Sequence, residues 1–186
     1  MRDTDVEIRG DSLKGKRILL GVSGGIAAVD TIRLSRELRR HGCEVVVIMT
    51  KSAQEIVTPR AVRWASQGEV ITKWDGDLSA LEGFDGILVC PATRNLLASF
   101  CNGMMNGPLL MALSAGRGRN TPIMFVPSMH NDLVADQVTD QLVQRINSLG
   151  SEVYWGPNEE GKRKTPNHET IVAKFANFIN RNTTSV

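Results

Sequence analysis

Apolar residues along this chain fall into short continuous runs separated by stretches at helical spacing. Arg17 to Val22 is such a run, ending in Ser23-Gly24-Gly25; Ile26, Val29, Ile32, Leu34 and Leu38 then recur as a helical stripe until Gly42 stops it. Cys43 to Met49 is a continuous β-branched run, the mark of a strand covered on both faces in a parallel sheet. Asp85 to Cys90 and Ile123 to Val126 read as two more buried strands, each followed by a proline, Pro91 or Pro127, and Val153 to Trp155 as a fifth. Helical spacing returns over Arg94 to Cys101, Gly107 to Ala115 and Asp132 to Leu149. The last of these is expected to turn Val138, Leu142, Val143, Ile146 and Leu149 inward, with Gly150 as its stop and a final helix over Glu169 to Arg181.

Strands alternating with helices predict an α/β fold, a Rossmann-like doubly wound parallel sheet in a three-layer α/β/α arrangement. The chain reads as a single domain over residues 15–183, preceded by a polar N-terminal extension, 1–14. Ligands of such sheets bind beyond the carboxyl ends of the strands, so chemistry is expected in the loops that follow them. Glu159 to Lys164 is strongly charged and reads as a loop within a mobile flap at about 156–166.

Composition narrows the function classes. The 186 residues, 41% hydrophobic and 23% charged, suit one ordinary globular domain, and a net charge of +2 argues for neither nucleic acid nor a membrane surface as partner. No stretch approaches the roughly 18 apolar residues of a membrane span, and Met1 to Lys14 has no apolar core for a signal peptide; a cytoplasmic location is expected. Cys43, Cys90 and Cys101 lack paired spacing and read as small buried side chains, with no metal site indicated.

Two post-strand loops could hold an anion. Gly21-Val22-Ser23-Gly24-Gly25-Ile26 offers backbone amides and a hydroxyl at a helix start, where the helix dipole favours phosphate. It is not GxGxxG and lacks the P-loop lysine, which weakens dinucleotide and nucleoside triphosphate readings, and a tight structural turn is an equal alternative. Met49-Thr50-Lys51-Ser52-Ala53 again puts hydroxyls directly after a strand. Thr50 or Ser52 could be helix caps only, but two strands ending alike would aim both loops at one crevice.

The order of motifs resembles that of the homo-oligomeric flavin-containing cysteine decarboxylases, over roughly Gly15 to Gly161. Val22-Ser23-Gly24-Gly25-Ile26-Ala27-Ala28 is similar to that family's FMN-phosphate loop, with Gly25 in place of the usual serine. Pro91-Ala92-Thr93-Arg94-Asn95-Leu96 and Gly103 to Leu109 resemble its flavin-ring and following motifs, and Pro127-Ser128-Met129-His130-Asn131-Asp132-Leu133-Val134 its substrate motif. The resemblance implies FMN as cofactor, with its phosphate on Ser23, Gly24, Gly25, Ile26, Thr50 and Ser52 and its ring beside Ala92, Thr93, Arg94 and Asn95. It also implies a substrate site at Met129 and His130 under a flap bearing Lys162 and Arg163, with Asp77, Asn95 and His130 as the catalytic candidates.

Several of these positions depart from the family pattern. Asp77 stands where the family carries a histidine, His130 where it carries a substrate-binding asparagine, and Leu133-Val134 replaces a Met-Trp pair. No cysteine follows Cys101, although the flap of the phosphopantothenoylcysteine decarboxylases contains one. Arg94 replaces a small residue; it would either favour a reduced anionic flavin or point to solvent. The resemblance implies oxidative decarboxylation of a small-molecule or peptide thiol by a homotrimer or dodecamer with flavin at subunit interfaces. The alternative is an FMN-dependent reductase exchanging electrons with a redox donor or acceptor, and a prenyl-transferring flavin enzyme ranks below both.

Overall fold

The computed structural model describes residues 2–74 and 78–183. Five parallel pairings build one sheet from β1 (Arg17–Val22), β2 (Glu44–Met49), β3 (Val70–Ile71), β4 (Gly86–Ala92), β5 (Ile123–Pro127) and β7 (Glu152–Val153), in the order β3-β2-β1-β4-β5-β7. Pleating sends alternate residues to opposite faces. Ile18, Leu20 and Val22 therefore pack with Leu34 and Leu38 of α1 (Thr31–Arg40) and with Phe175 and Ile179 of α8 (His168–Thr183). Leu19, between them, joins Ile87 and Val89 under Leu97 and Phe100 of α4 (Arg94–Cys101) and Leu113 of α5 (Pro108–Gly118). Each such buried side chain contributes roughly 1.5–3 kcal/mol, so these two layers hold the sheet. The predicted three-layer parallel architecture is the one observed.

The short elements are where pattern reading departed from the structure. The expected helix from Ile26 begins instead as a 3-10 turn, Ile26–Asp30, which leaves Ile26 72% and Val29 52% exposed. The expected helix over Asp132 to Leu149 is two, α6 (Asn131–Ala135) and α7 (Gln137–Ser148). Asp136 breaks it by adopting extended backbone and turning its carboxylate onto the Val138 amide, 3.0 Å away, as the cap of α7. Leu142 and Ile146 are buried as expected, Val143 is half-buried, and Val138 and Leu149 face solvent. The helix start expected at residues 50–53 is α2 (Lys51–Gln54), capped by Thr50, whereas pattern reading leaves out α3 (Pro59–Ser66) and β3; α3 opens on Thr58, whose hydroxyl caps the Ala61 amide, with Pro59 at its first turn.

The N-terminal extension packs against the domain. Leu13 is fully buried in the core, and the amides of Arg9 and Gly10 donate to the Arg40 carbonyl at the end of α1. The segment expected as a flap forms a hairpin of β8 (Asn158–Glu159) and β9 (Lys162–Arg163) that pairs antiparallel with β6 (Met129–His130). Its two-residue turn, Glu160-Gly161, has both φ values positive, the geometry that matches strand twist and that glycine adopts freely. No helix among the described residues is long and apolar enough to cross a membrane.

Candidate functional site

The strand order reverses between β1 and β4, and in doubly wound sheets the crevice at such a reversal is where ligands sit. Three loops meet there because specific contacts leave them little freedom. Ser23 is 2% exposed; its hydroxyl donates to the Pro91 carbonyl at 2.8 Å and accepts from the Thr93 amide at 2.9 Å, so the loops after β1 and β4 are tied together. The Thr50 amide donates to the Val22 carbonyl and brings in the loop after β2. Gly24 then lies flat against Ser52, since a Cβ on it would come within 2.5 Å of Ser52 Cβ. Under the first loop, Gly21 makes room for the Leu109 side chain of α5.

This arrangement fits a phosphate. Ala28 makes the first bond of the 3-10 turn, to the Gly25 carbonyl at 2.8 Å, so the Ile26 and Ala27 amides precede any intrahelical acceptor and point out of the turn. The same holds for the first amides of α2 and α4, whose capping hydroxyls, Thr50 and Thr93, serve the Ala53 and Leu96 amides. Thr50 and Ser52 hydroxyls lie 3.3 Å apart. Only one of their two protons can serve that contact, and the other is left for a ligand. Ser23, by contrast, has spent its proton on Pro91 and contributes through the geometry it imposes. At Gly25 a Cβ would meet nothing closer than 3.7 Å, so the usual serine of the resembled family would fit there.

Beside these loops Ala92 is fully buried, and Asn95 is exposed on the first turn of α4. Arg94 neither faces solvent nor stands as a free cation: its guanidinium is paired with Asp136. The Val138 amide, and after it Arg94, hold the Asp136 carboxyl below the usual carboxylate range. Arg94 thus clamps α4 to the start of α7. Asp136 as its partner went unnoticed in the sequence, although an aspartate just before an apolar helical run is a capping signal.

The four expected substrate residues come together at β6 and β9 and then divide. His130 is directly opposite Lys162, and Met129 opposite Arg163; residues opposite one another share a face. Met129 is buried in the core, and Arg163 lines a cavity of about 130 Å³ with Trp155, Thr139 and Asp140 while donating to the Gly156 carbonyl at 3.2 Å. On the other face His130 is exposed, and Lys162 has no ion pair among the described residues. Lys164 is not comparable, being paired with both Glu159 and Glu160.

Asp77 lies outside the described residues. All three cysteines are buried, and burial pushes the Cys43 and Cys90 thiols up to about 12, which removes them as thiolate nucleophiles near neutral pH.

The chain is 34% identical over 167 residues to the coenzyme A biosynthesis bifunctional protein CoaBC of Thermococcus kodakarensis, covering 86% of this chain and 41% of the relative. It is 30% identical over 178 residues to the CoaBC of Methanocaldococcus jannaschii, covering 91% of this chain and 42% of that one. This chain therefore spans less than half the length of the curated relatives it matches. Among solved structures, the FMN-dependent cysteine decarboxylase SpaF superposes with a TM-score of 0.80 at 19% identity, over 92% of this chain and 99% of that one. A PPC decarboxylase mutant complexed with pantothenoylaminoethenethiol superposes with a TM-score of 0.76 at 18% identity, over 86% and 95%. At those identities the likeness is one of fold, and it matches the expected Rossmann-like class. The family that matches residues 7–180, nearly the whole chain, is Flavoprotein, and to that family this chain belongs.

Proposed function

We propose that this chain is an FMN-dependent decarboxylase of a cysteine-like thiol carboxylate, with a small phosphopantothenoylcysteine-type thiol as the first substrate to test. Two observations carry the proposal: amide-rich loops that fit a phosphate follow β1, β2 and β4, and β6, which directly follows β5, pairs with a hairpin that sets Lys162 opposite the exposed His130. FMN is the cofactor; membership of the Flavoprotein family and the FMN-dependent enzymes that share the fold support it. Ile26, Ala27, Thr50 and Ser52 would hold its phosphate, with Ala92, Thr93 and Asn95 beside its ring. When bound, FMN supplies a two-electron acceptor for the thiol side of the substrate, which lets the neighbouring carboxylate leave as CO2.

The protein's own part is to bind, orient and discriminate. Lys162 and His130, facing the same way, would hold the substrate carboxylate by charge and hydrogen bonding. Asn95 would donate its amide into the crevice, while Arg94, neutralised by Asp136, keeps α4 and α7 in register. Asp77 is proposed as the group that moves a proton at the thiol side. A homotrimer, alone or within a dodecamer, is proposed as the working form, with Ile26 and Val29, exposed on the turn that opens the crevice, covered by a neighbouring subunit.

The test is anaerobic incubation of the yellow, FMN-loaded protein with phosphopantothenoylcysteine and with peptides ending in cysteine. The expected result is CO2 release accompanied by transient bleaching of the flavin. Bleaching by a reduced nicotinamide with no CO2 from any thiol carboxylate would replace this reading with the reductase alternative.

A further inference from the structure

Away from the flavin crevice, one groove gathers more cations than the carboxylates lining it can neutralise. It runs between the outer face of α1, the N-terminal segment and the start of α8, and encloses about 530 Å³. Arg33, Arg36 and Arg40 reach it from α1 and Arg9 from the N-terminal segment, against only two carboxylates, Glu37 and Glu169. Both carboxylates are already engaged, Glu37 by Arg40 at 2.7 Å and Glu169 by Arg9 at 3.4 Å, which leaves two positive charges in excess.

The donors are also incompletely used. Arg36 gives its guanidinium to the main-chain carbonyls of Asp3 and Asp5, at 3.2 and 2.8 Å, which fixes its place without cancelling its charge. Arg33 has no hydrogen bond or ion pair among the described residues. At the end of the groove, Asn167 caps the Thr170 amide of the 16-residue α8, so the His168 and Glu169 amides precede its first turn and bring the positive end of the helix to the same place. Crowding of like charges is felt next door: burial and then the charge of Arg36 hold Arg39 below the usual guanidinium range.

We infer that this groove is a second anion site, built for a phosphate or diphosphate group, whether free or carried on a small metabolite. The charge excess matches a phosphomonoester or diphosphate, and guanidinium groups bind such groups through paired N–H bonds. The volume lies in the roughly 300–1,000 Å³ span of small-molecule sites, so room remains for the rest of the molecule. Asp30, which ends the 3-10 turn of the first flavin loop, sits 3.9 Å from His168 at the edge of this groove, so a bound ligand would lie against the element that opens the crevice.

The test uses FMN-loaded protein, whose phosphate loop is filled and whose flavin absorbance is followed in the same cell. Orthophosphate, pyrophosphate and AMP are titrated by calorimetry and thermal shift, with ionic strength held constant by chloride. Saturable binding of at least one probe is expected, weakened at least tenfold in Arg33→Ala and in Arg9→Ala, with flavin retained. Arg60→Ala removes one exposed charge elsewhere and is expected to change nothing. Pyrophosphate binding tighter than AMP assigns the site to free polyphosphates, and the reverse order to nucleotides; either order supports the inference. It is overturned if no probe saturates, or if Arg60→Ala weakens binding as much as Arg33→Ala does.

Discussion

The crevice loops and the hairpin, the two parts of the proposed site, are built in different ways. The loops are fixed by backbone: Gly24 against Ser52, Gly21 under Leu109, and the buried Ser23 hydroxyl between two strands. The hairpin strands and their partner β6 are two residues each, and side chains set their character, Lys162 and His130 on one face and Arg163 and Met129 on the other. A site made of main-chain geometry tolerates little at the packed positions, Gly21 and Gly24, and more where a Cβ finds room, as at Gly25. One made of exposed side chains can change its ligand without unfolding. Departures from the resembled pattern occur in both halves: Gly25, where the backbone leaves room, and Arg94 in the loops, and His130 and Leu133-Val134 beside the hairpin.

The sharpest way to break the comparison is Gly24→Val. Its Cβ would meet Ser52 Cβ at 2.5 Å and the Ser52 carbonyl carbon at 3.1 Å, so the first two loops must part. Overpacking of this kind costs about 1–3 kcal/mol, and the protein should purify colourless and fail to take up added FMN. Next in size is a paired test on the hairpin. Lys162→Ala should raise KM for the thiol carboxylate about tenfold, roughly 1.4 kcal/mol of binding, with flavin content and Tm unchanged. Arg163→Ala, on the inward face, should instead lower Tm through the lost Gly156 contact and the enlarged cavity. Equal effects of the two on both readouts would erase the division of faces.

The sequence showed most of the scaffold for a simple reason. Strands covered on both faces must be continuously apolar, so β1, β2, β4 and β5 stood out, and the loops after the first three gave the crevice. What stayed hidden depends on contacts between distant residues. Nothing local marks Val70–Ile71 as a strand until β2 lies beside it. Arg94 offered two readings, solvent or flavin, and the structure chose a third because Asp136 lies 42 positions away along the chain. Likewise Ser23, expected as a phosphate donor, has its proton drawn off by Pro91. Lys162 and Arg163 looked alike in a charged run, and only pairing with β6 separates them.

A smaller effect separates the two regions by pH. The Asp136 carboxyl, held below its ordinary value of 3.8, stabilises the α4–α7 clamp fully above that value and loses the contribution as pH falls through the lowered folded value. Lys164 titrates in the opposite sense: Glu160 and then Glu159 hold it above 10.5, so its contribution to the hairpin is complete below that value and lost as pH rises past it. Thermal unfolding followed against pH should therefore show Asp136→Asn converging on the parent protein only in strong acid. Lys164→Met should converge on it only at the alkaline end. Convergence of both at the same end would mean that neither pair behaves as its geometry requires.

The smallest expected change is also the most pointed. At Gly25, φ is −91° and ψ 152°, extended backbone that any residue adopts, and a Cβ would make only ordinary contacts with Pro91 and Thr93 at 3.7 Å. Gly25→Ser should therefore leave Tm within about a degree while adding one hydroxyl at the mouth of the phosphate loop. A hydrogen bond to a charged partner is worth about 1.5–3 kcal/mol, and the cost of fixing the new rotamer reduces this, so FMN should bind severalfold to about tenfold more tightly, read from flavin fluorescence on dilution. Tighter binding would mean that the loop already holds the phosphate where that hydroxyl reaches it, and that the missing serine is a loss of affinity without a change of site. Unchanged binding with unchanged Tm would place the phosphate further toward Thr50 and Ser52, and the backbone-built half of the comparison would then lean on side chains after all.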